Sequence, residues 1–179
     1  MSKRALLVID MLNDFLLPGA PLEVPAGRNI IPCILEEIKA AREGGVPVIY
    51  LCDNHAPDDP EFVKWPAHCV SGTKGAEVVD ELSPEEGDIV VPKTRYSGFF
   101  KTDLDGILKN LDVSELTLTG ILTNICVLFT SCDAFMRGFN LRIPEQCVAA
   151  LTVEEHTFAL DQVGKLMDAE IIRKAGHVG

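Results

Sequence analysis

The chain predicts a doubly wound α/β fold, with a mainly parallel sheet covered by helices on both faces. Three observations carry that prediction. Short apolar runs recur along the whole length, most of them lack the alternation of a half-exposed strand, and helical patterns lie between them. The runs are ALLVID (5–10), VPVIYLCD (46–53), DIVVPK (88–93), ELTLTG (115–120), NLRIPEQCVAA (140–150) and EIIRK (170–174), giving about six strands. Strand–helix alternation without repeats or low-complexity linkers implies one domain over residues 1–179.

The helices follow from their own signals. NIIPCILEEIKAAREGG sets Ile30, Ile31, Ile34, Leu35 and Ile38 on one stripe and stops at Gly44 and Gly45. TDLDGILKNL is shorter, with Thr102 as its possible N-cap. NICVLFTSCDAFMRG is mostly apolar, which predicts a buried helix ending at Gly138. VEEHTFALDQVGKLMDA completes the set, with Thr152 as candidate cap.

Composition narrows the function. Hydrophobic residues make up 47% and charged residues 24%, ordinary for a globular chain. A net charge of −11 excludes partners that need a basic face, namely nucleic acid and anionic membrane. The N-terminal apolar run is too short for a signal peptide, and no segment is long enough to span a bilayer. The six cysteines are scattered without a Cys-x-x-Cys pair, so reduced thiols in a cytoplasmic protein are expected.

In a doubly wound sheet, ligands sit beyond the carboxyl ends of the strands. Asp10, Asp53, Lys93 and Gly120 all stand at such ends, so the loops that follow them should converge. Taken singly, Asp10 could be a solvated strand-end acid, Lys93 an exposed lysine and Cys126 an inert packing residue. Together they are an acid, a lysine and a thiol at three strand ends. Cys126 is expected in the first turn of its helix, where free N–H groups, the dipole and a lysine favour the thiolate. The same N–H groups could hold an oxyanion, and Asp10 could carry the proton that attack on an amide requires.

The segment CDNHAPDDPEFVKWPAHC (52–69) carries a second constellation. Asp53 and His55 leave the second strand, and Glu61 and His68 come from the returning loop. Two imidazoles with one or two carboxylates suit zinc, iron or manganese; a polar lid of ordinary hydrogen bonds is the alternative. Asp58 and Asp59 read as turn formers in APDDP. His156 reads as a surface residue of its helix, and His177 lies in the terminal AGHVG.

The stretches VIDMLNDF, WPAHCVSGTKGAE, KTRYSGFFKTDL, TGILTNICV and DAFMRGF resemble the isochorismatase-like cysteine hydrolases, and among them the nicotinamidases. The likeness runs in order from about Ala5 to Ile172. It implies a catalytic triad of Asp10, Lys93 and Cys126. It also implies metal ligation by Asp53, His55 and His68, with Glu61 as a fourth ligand directly or through water. A cis peptide between Ile121 and Leu122 would turn the Leu122 N–H toward the oxyanion beside that of Cys126. Phe15, Trp65 and Tyr96 match aromatic positions around the family's substrate ring. Asn124 and Ile125 depart from the common pattern at the pocket wall, which bears on the substrate more than on the chemistry.

The expected activity is therefore metal-dependent hydrolysis of a small amide, nicotinamide first, with zinc the leading metal and a homo-oligomeric assembly. A carbamoyl or ureido compound such as N-carbamoylsarcosine is the alternative substrate. Isochorismate cleavage is disfavoured because it has no use for Cys126, and a non-catalytic binding module because it has no use for the triad.

Overall fold

The structure, a computed structural model, describes residues 3–173, so His177 and the end of the predicted strand 170–174 lie outside the described residues. Among the described residues, seven parallel strands form one sheet. They are β1 (Arg4–Ile9), β2 (Val48–Asp53), β3 (Ile89–Lys93), β4 (Glu115–Ile121), β5 (Asn140–Pro144), β6 (Val148–Ala149) and β7 (Glu170–Ile172). Their order is β3-β2-β1-β4-β5-β7, with β6 paired to β4. The seventh strand appears because the single run expected over 140–150 is broken by a 3-10 turn at Glu145–Cys147.

Among the described residues, five α-helices accompany the sheet: α1 (Asn13–Leu16), α2 (Pro25–Glu43), α3 (Leu104–Asn110), α4 (Leu128–Met136) and α5 (Val153–Leu166). The pleat of β1 shows how both faces are covered. Ala5, Leu7 and Ile9 join a core with Leu104 and Leu108 of α3, Ala134 of α4 and Leu160 of α5. Leu6 and Val8 join the opposite core with Ile30, Ile34 and Ile38 of α2. Continuous apolar strands are therefore what this sheet needs.

Helix α2 begins earlier than its apolar stripe, because Pro25 opens it at a position where the missing N–H costs nothing. Thr152 caps α5 as expected, in a capping box with Glu155. At α3 the residue before the helix is Asp103; Thr102 still accepts from the Leu104 N–H at 3.3 Å.

One expectation is overturned. Cys33 on α2 and Cys147 form a disulfide, with an S–S distance of 2.05 Å, so not all six thiols are free. The two lie 114 residues apart in sequence, and only the sheet order brings α2 against the turn before β6. The other four cysteines are free. Among the described residues, no helix is long and apolar enough to cross a membrane.

Candidate active site and metal centre

Parallel register delivers the site. Asp53 pairs with Lys93 across β2 and β3, and Ile9 pairs with both Leu51 and Gly120, so these strand ends share one edge of the sheet. Asp10 follows β1 with φ at +53°, a left-handed conformation that turns the chain as it leaves the sheet. Its backbone N–H still bonds Leu51 O at 2.9 Å, while its Oδ1 accepts from the Asp53 N–H at 2.9 Å.

Lys93 is not an exposed strand-end lysine; it is 1% exposed. Its Nζ lies 2.7 Å from Asp10 Oδ2, 2.5 Å from Asp53 Oδ1 and 3.6 Å from Cys126 Sγ. The contact with Asp10 is an ion pair rather than an aligned hydrogen bond, which leaves Oδ2 able to exchange a proton.

Two acids and one lysine in a buried cluster cannot all hold their ordinary charge states. Burial, followed by the charge of Asp53, pushes the Asp10 carboxyl up to about 6, against the pull of Lys93. Burial also opposes ionisation of Asp53, but Lys93 and His55 outweigh it and hold that carboxyl below the usual value. For Lys93, burial favours the neutral amine, yet Asp10 and Asp53 prevail and raise its pKa.

Cys126 departs from expectation. It lies in a π-helical turn, Thr123–Val127, that precedes α4 rather than in a first α-helical turn. Burial pushes its thiol well up, more than Lys93 pulls it down. The resting sulfur therefore carries its proton. The Ile121–Leu122 peptide is cis, where the resemblance implied it.

The second constellation also assembles. His55 bonds through its backbone to Cys69 and Ser71, which draws the returning loop beside it and sets the His55 and His68 ring centroids 4.8 Å apart. Asp53 Oδ2 stands 3.7 Å from His55 Nε2 and 3.9 Å from His68 Nε2. The other ring nitrogens are occupied: His55 Nδ1 meets Asp59 Oδ2 at 3.1 Å, and His68 Nδ1 meets Pro66 O at 2.7 Å. Both Nε2 atoms are thus turned inward, and that of His55 is buried without a hydrogen-bond partner. An orphaned nitrogen facing a second imidazole and a carboxylate oxygen fits a divalent cation.

Glu61 stands slightly apart. It groups with His55 and Asp59 rather than with the Asp53–His55–His68 set, and its Oε2 lies 3.4 Å from Arg95. Burial and the charge of Asp53 raise its carboxyl. Asp59 does more than the turn forming expected of it. It accepts from the Glu61 N–H at 2.8 Å, pairs with Arg95 and orients His55, as carboxylates behind metal-binding imidazoles do. Its four-residue spacing from His55 was the available signal.

Both constellations open into one cavity of about 360 Å³. Phe15, Trp65 and Tyr96 line it together with Cys126, Leu122 and His68. Trp65 Nε1 donates to Tyr96 Oη at 3.1 Å, which fixes two of the three rings. Among the described residues, Glu23 and Glu155 add acidic walls, and no lysine or arginine lines the cavity. His156 is also not the surface residue expected: it is half-buried, with Nδ1 3.0 Å from Thr123 Oγ1.

A buried acid–lysine–thiol cluster thus faces an Asp/His group that could hold a metal, at one edge of a parallel sheet. The chain belongs to the isochorismatase family, whose domain it matches over residues 4–175. It is 35% identical to the nicotinamidase/pyrazinamidase of Bacillus subtilis, with a TM-score of 0.91 over 96% of this chain and 100% of that one. Similarity to N-carbamoylsarcosine amidase of Thermoplasma acidophilum is comparable: 35% identity, TM-score 0.88 and 99% of each chain. A pyrazinamidase of Pyrococcus horikoshii, solved in complex with zinc, is 33% identical with a TM-score of 0.89, over 96% and 99% of the chains. A relative from Arabidopsis thaliana, 35% identical over 86% of this chain and 84% of its own, is named a probable inactive nicotinamidase.

Proposed function

We propose that the protein is a metal-dependent cysteine amidohydrolase that converts nicotinamide and water to nicotinic acid and ammonia. One observation carries the reading. A single carboxylate, Asp53, offers Oδ1 to the triad lysine and Oδ2 to two inward-facing imidazoles, so thiol and cation site face one aromatic cavity.

A divalent cation, which this donor set allows to be zinc, iron or manganese, would be held by Asp53, His55 and His68 with Glu61 beside them, and would supply a Lewis-acidic anchor for the pyridine nitrogen. Phe15, Trp65 and Tyr96 enclose the ring and aim its carboxamide at Cys126. Orientation of this kind can remove about 7–11 kcal/mol of barrier in ideal cases.

The sulfur of Cys126 then attacks the carboxamide carbon while its proton passes to Asp10, whose raised pKa suits that exchange. The Leu122 and Cys126 N–H groups hold the oxyanion. Asp10 returns the proton to the departing ammonia, leaving a nicotinoyl thioester on Cys126. Water attacks that thioester as Asp10 takes its proton, releasing nicotinic acid and restoring the thiol. Lys93 holds both carboxylates in place throughout.

N-Carbamoylsarcosine fits less well because it bears a carboxylate. The cavity wall offers acids on several sides and no lysine or arginine to meet that charge. A purely binding role fits less well too, since the acid, lysine and thiol remain in contact. Ammonia release from the two amides by the zinc-loaded protein, measured side by side, tests the reading. Turnover of nicotinamide that Cys126→Ala abolishes without loss of zinc is expected. Retained turnover by that variant, or turnover of N-carbamoylsarcosine alone, would overturn it.

A further inference from the structure

Helix α5 approaches the active site from outside, and its first turn does two things. Leu151, just ahead of the helix, and Glu155 line the cavity, while His156 points to the π-helical turn that carries Cys126. Its contact there is Thr123, the residue after Leu122 and the first of that turn. Thr123 is 1% exposed, and its hydroxyl makes one hydrogen bond among the described residues, the 3.0 Å contact with His156 Nδ1.

The turn needs such a tie. On one side it is wound around a single carbonyl: Ile125 and Val127 both donate to Leu122 O, at 3.0 and 3.1 Å. A π turn is rare and recurs at functional sites. The His156–Thr123 bond pins it from the other side, between the two residues whose N–H groups must aim at one oxygen. His156 is itself fixed, since its backbone N–H bonds Thr152 O at 3.1 Å inside a capped first turn. Burial lowers its pKa, so the ring is neutral at physiological pH and its Nδ1 can accept from the Thr123 hydroxyl.

We propose that His156 is a positioning residue for amide cleavage: through the Thr123 hydroxyl it holds the turn that presents the Leu122 and Cys126 N–H groups to the oxyanion. This rests on the amidohydrolase reading above, and it extends the machinery to an element that carries no triad or metal residue.

The experiment compares His156→Leu, His156→Asn, Thr123→Val and the double variant His156→Leu/Thr123→Val in the zinc-loaded protein. The kinetic readouts are kcat and KM for nicotinamide and N-carbamoylsarcosine. The second readout is affinity for pyridine-3-carbaldehyde. Cys126 adds to that aldehyde by forming an S–C bond, its proton passes to Asp10, and the carbonyl oxygen becomes an oxyanion with no bond cleaved afterwards.

Loss of aim of about an ångström costs roughly 100-fold in rate, so His156→Leu and Thr123→Val should each lower kcat about 10- to 100-fold. Aldehyde affinity should fall with kcat, while KM and zinc affinity hold. The double variant should be no worse than either single, because both remove the same bond. Asparagine places an acceptor near the Nδ1 position and should restore most of the rate.

Unchanged kcat in His156→Leu and Thr123→Val, losses that multiply in the double variant, or a lowered melting temperature with kcat intact would overturn the proposal. If His156→Leu does not fold, Thr123→Val and His156→Asn decide by the same criteria. Failure of the parent protein to cleave either amide would refute the proposed function alone, since the aldehyde titration still reads the turn.

Discussion

Gly120 is the position where the fold and the site meet most tightly, and Gly120→Ala puts a number on that. Gly120 lies one residue before the end of β4, beside Ile9, with φ at +108°. A methyl group there would stand 2.0 Å from Ile9 O and 2.8 Å from both Ile9 C and Ile9 N. An ordinary carbon–oxygen contact is about 3.3 Å, so the tips of β1 and β4 must part by roughly 1.3 Å. Backbone, not a flexible side chain, has to yield. The residue displaced is the one before Asp10, so Asp10 would leave its 2.7 Å pairing with Lys93. Overpacking of this kind costs about 1–3 kcal/mol, and the positive φ adds about 1–2 kcal/mol for alanine. A stability loss of about 2–5 kcal/mol is expected by chemical denaturation, with kcat falling about 100-fold for the displacement. Gly45→Ala is the control, because Gly45 also has a positive φ, +65°, but nothing within 4 Å of the added carbon. It should lose only the backbone contribution and keep full activity. If Gly120→Ala matched Gly45→Ala in both stability and rate, close approach of the strand tips would not be what sets Asp10.

Other consequences are equally direct. Lys93→Met leaves Asp10 and Asp53 buried without their cation, and urea unfolding should show a loss of about 3–5 kcal/mol; a neutral effect would mean the cluster is not charged as described. Because the Asp10 carboxyl is raised to about 6, kcat/KM should fall as pH drops through that region and Asp10 can no longer take the thiol proton. A cation on Asp53 relieves one of the causes and moves the limb lower, so zinc-loaded protein whose kcat/KM shows no acid limb at all would contradict the assignment. Asp59→Asn should weaken zinc binding about 10- to 100-fold by chelator competition, because it loosens the orientation of His55; unchanged affinity would return Asp59 to a simple turn former.

Much of this molecule is legible in its sequence because parallel strands are buried on both faces and so read as unbroken apolar runs. ALLVID and VPVIYLCD identify β1 and β2 for that reason, and Asp10 and Asp53 then fall at their ends. The runs do not report breaks, which is why Glu145–Cys147 and the separate β6 went unseen. Nor does periodicity report electrostatics. A cysteine at a helix start reads as a thiolate, whereas burial, with two acids nearby, keeps the proton on Cys126. The Cys33–Cys147 disulfide and the His156–Thr123 bond join residues 114 and 33 positions apart, and only the packed sheet makes them neighbours. Local signals located the acid, lysine, thiol and imidazoles at the strand ends; tertiary packing chose the residues that contact them.

The proposed mechanism requires a bond between Cys126 and the carbonyl carbon of the substrate. Acid quenching of the zinc-loaded protein during turnover of nicotinamide, followed by intact and peptide mass analysis, measures this directly. One nicotinoyl group is expected on the peptide containing Cys126, absent in Cys126→Ala. Turnover of nicotinamide with Cys126 unmodified at every quench time, and with Cys126→Ala equally active, would contradict the account.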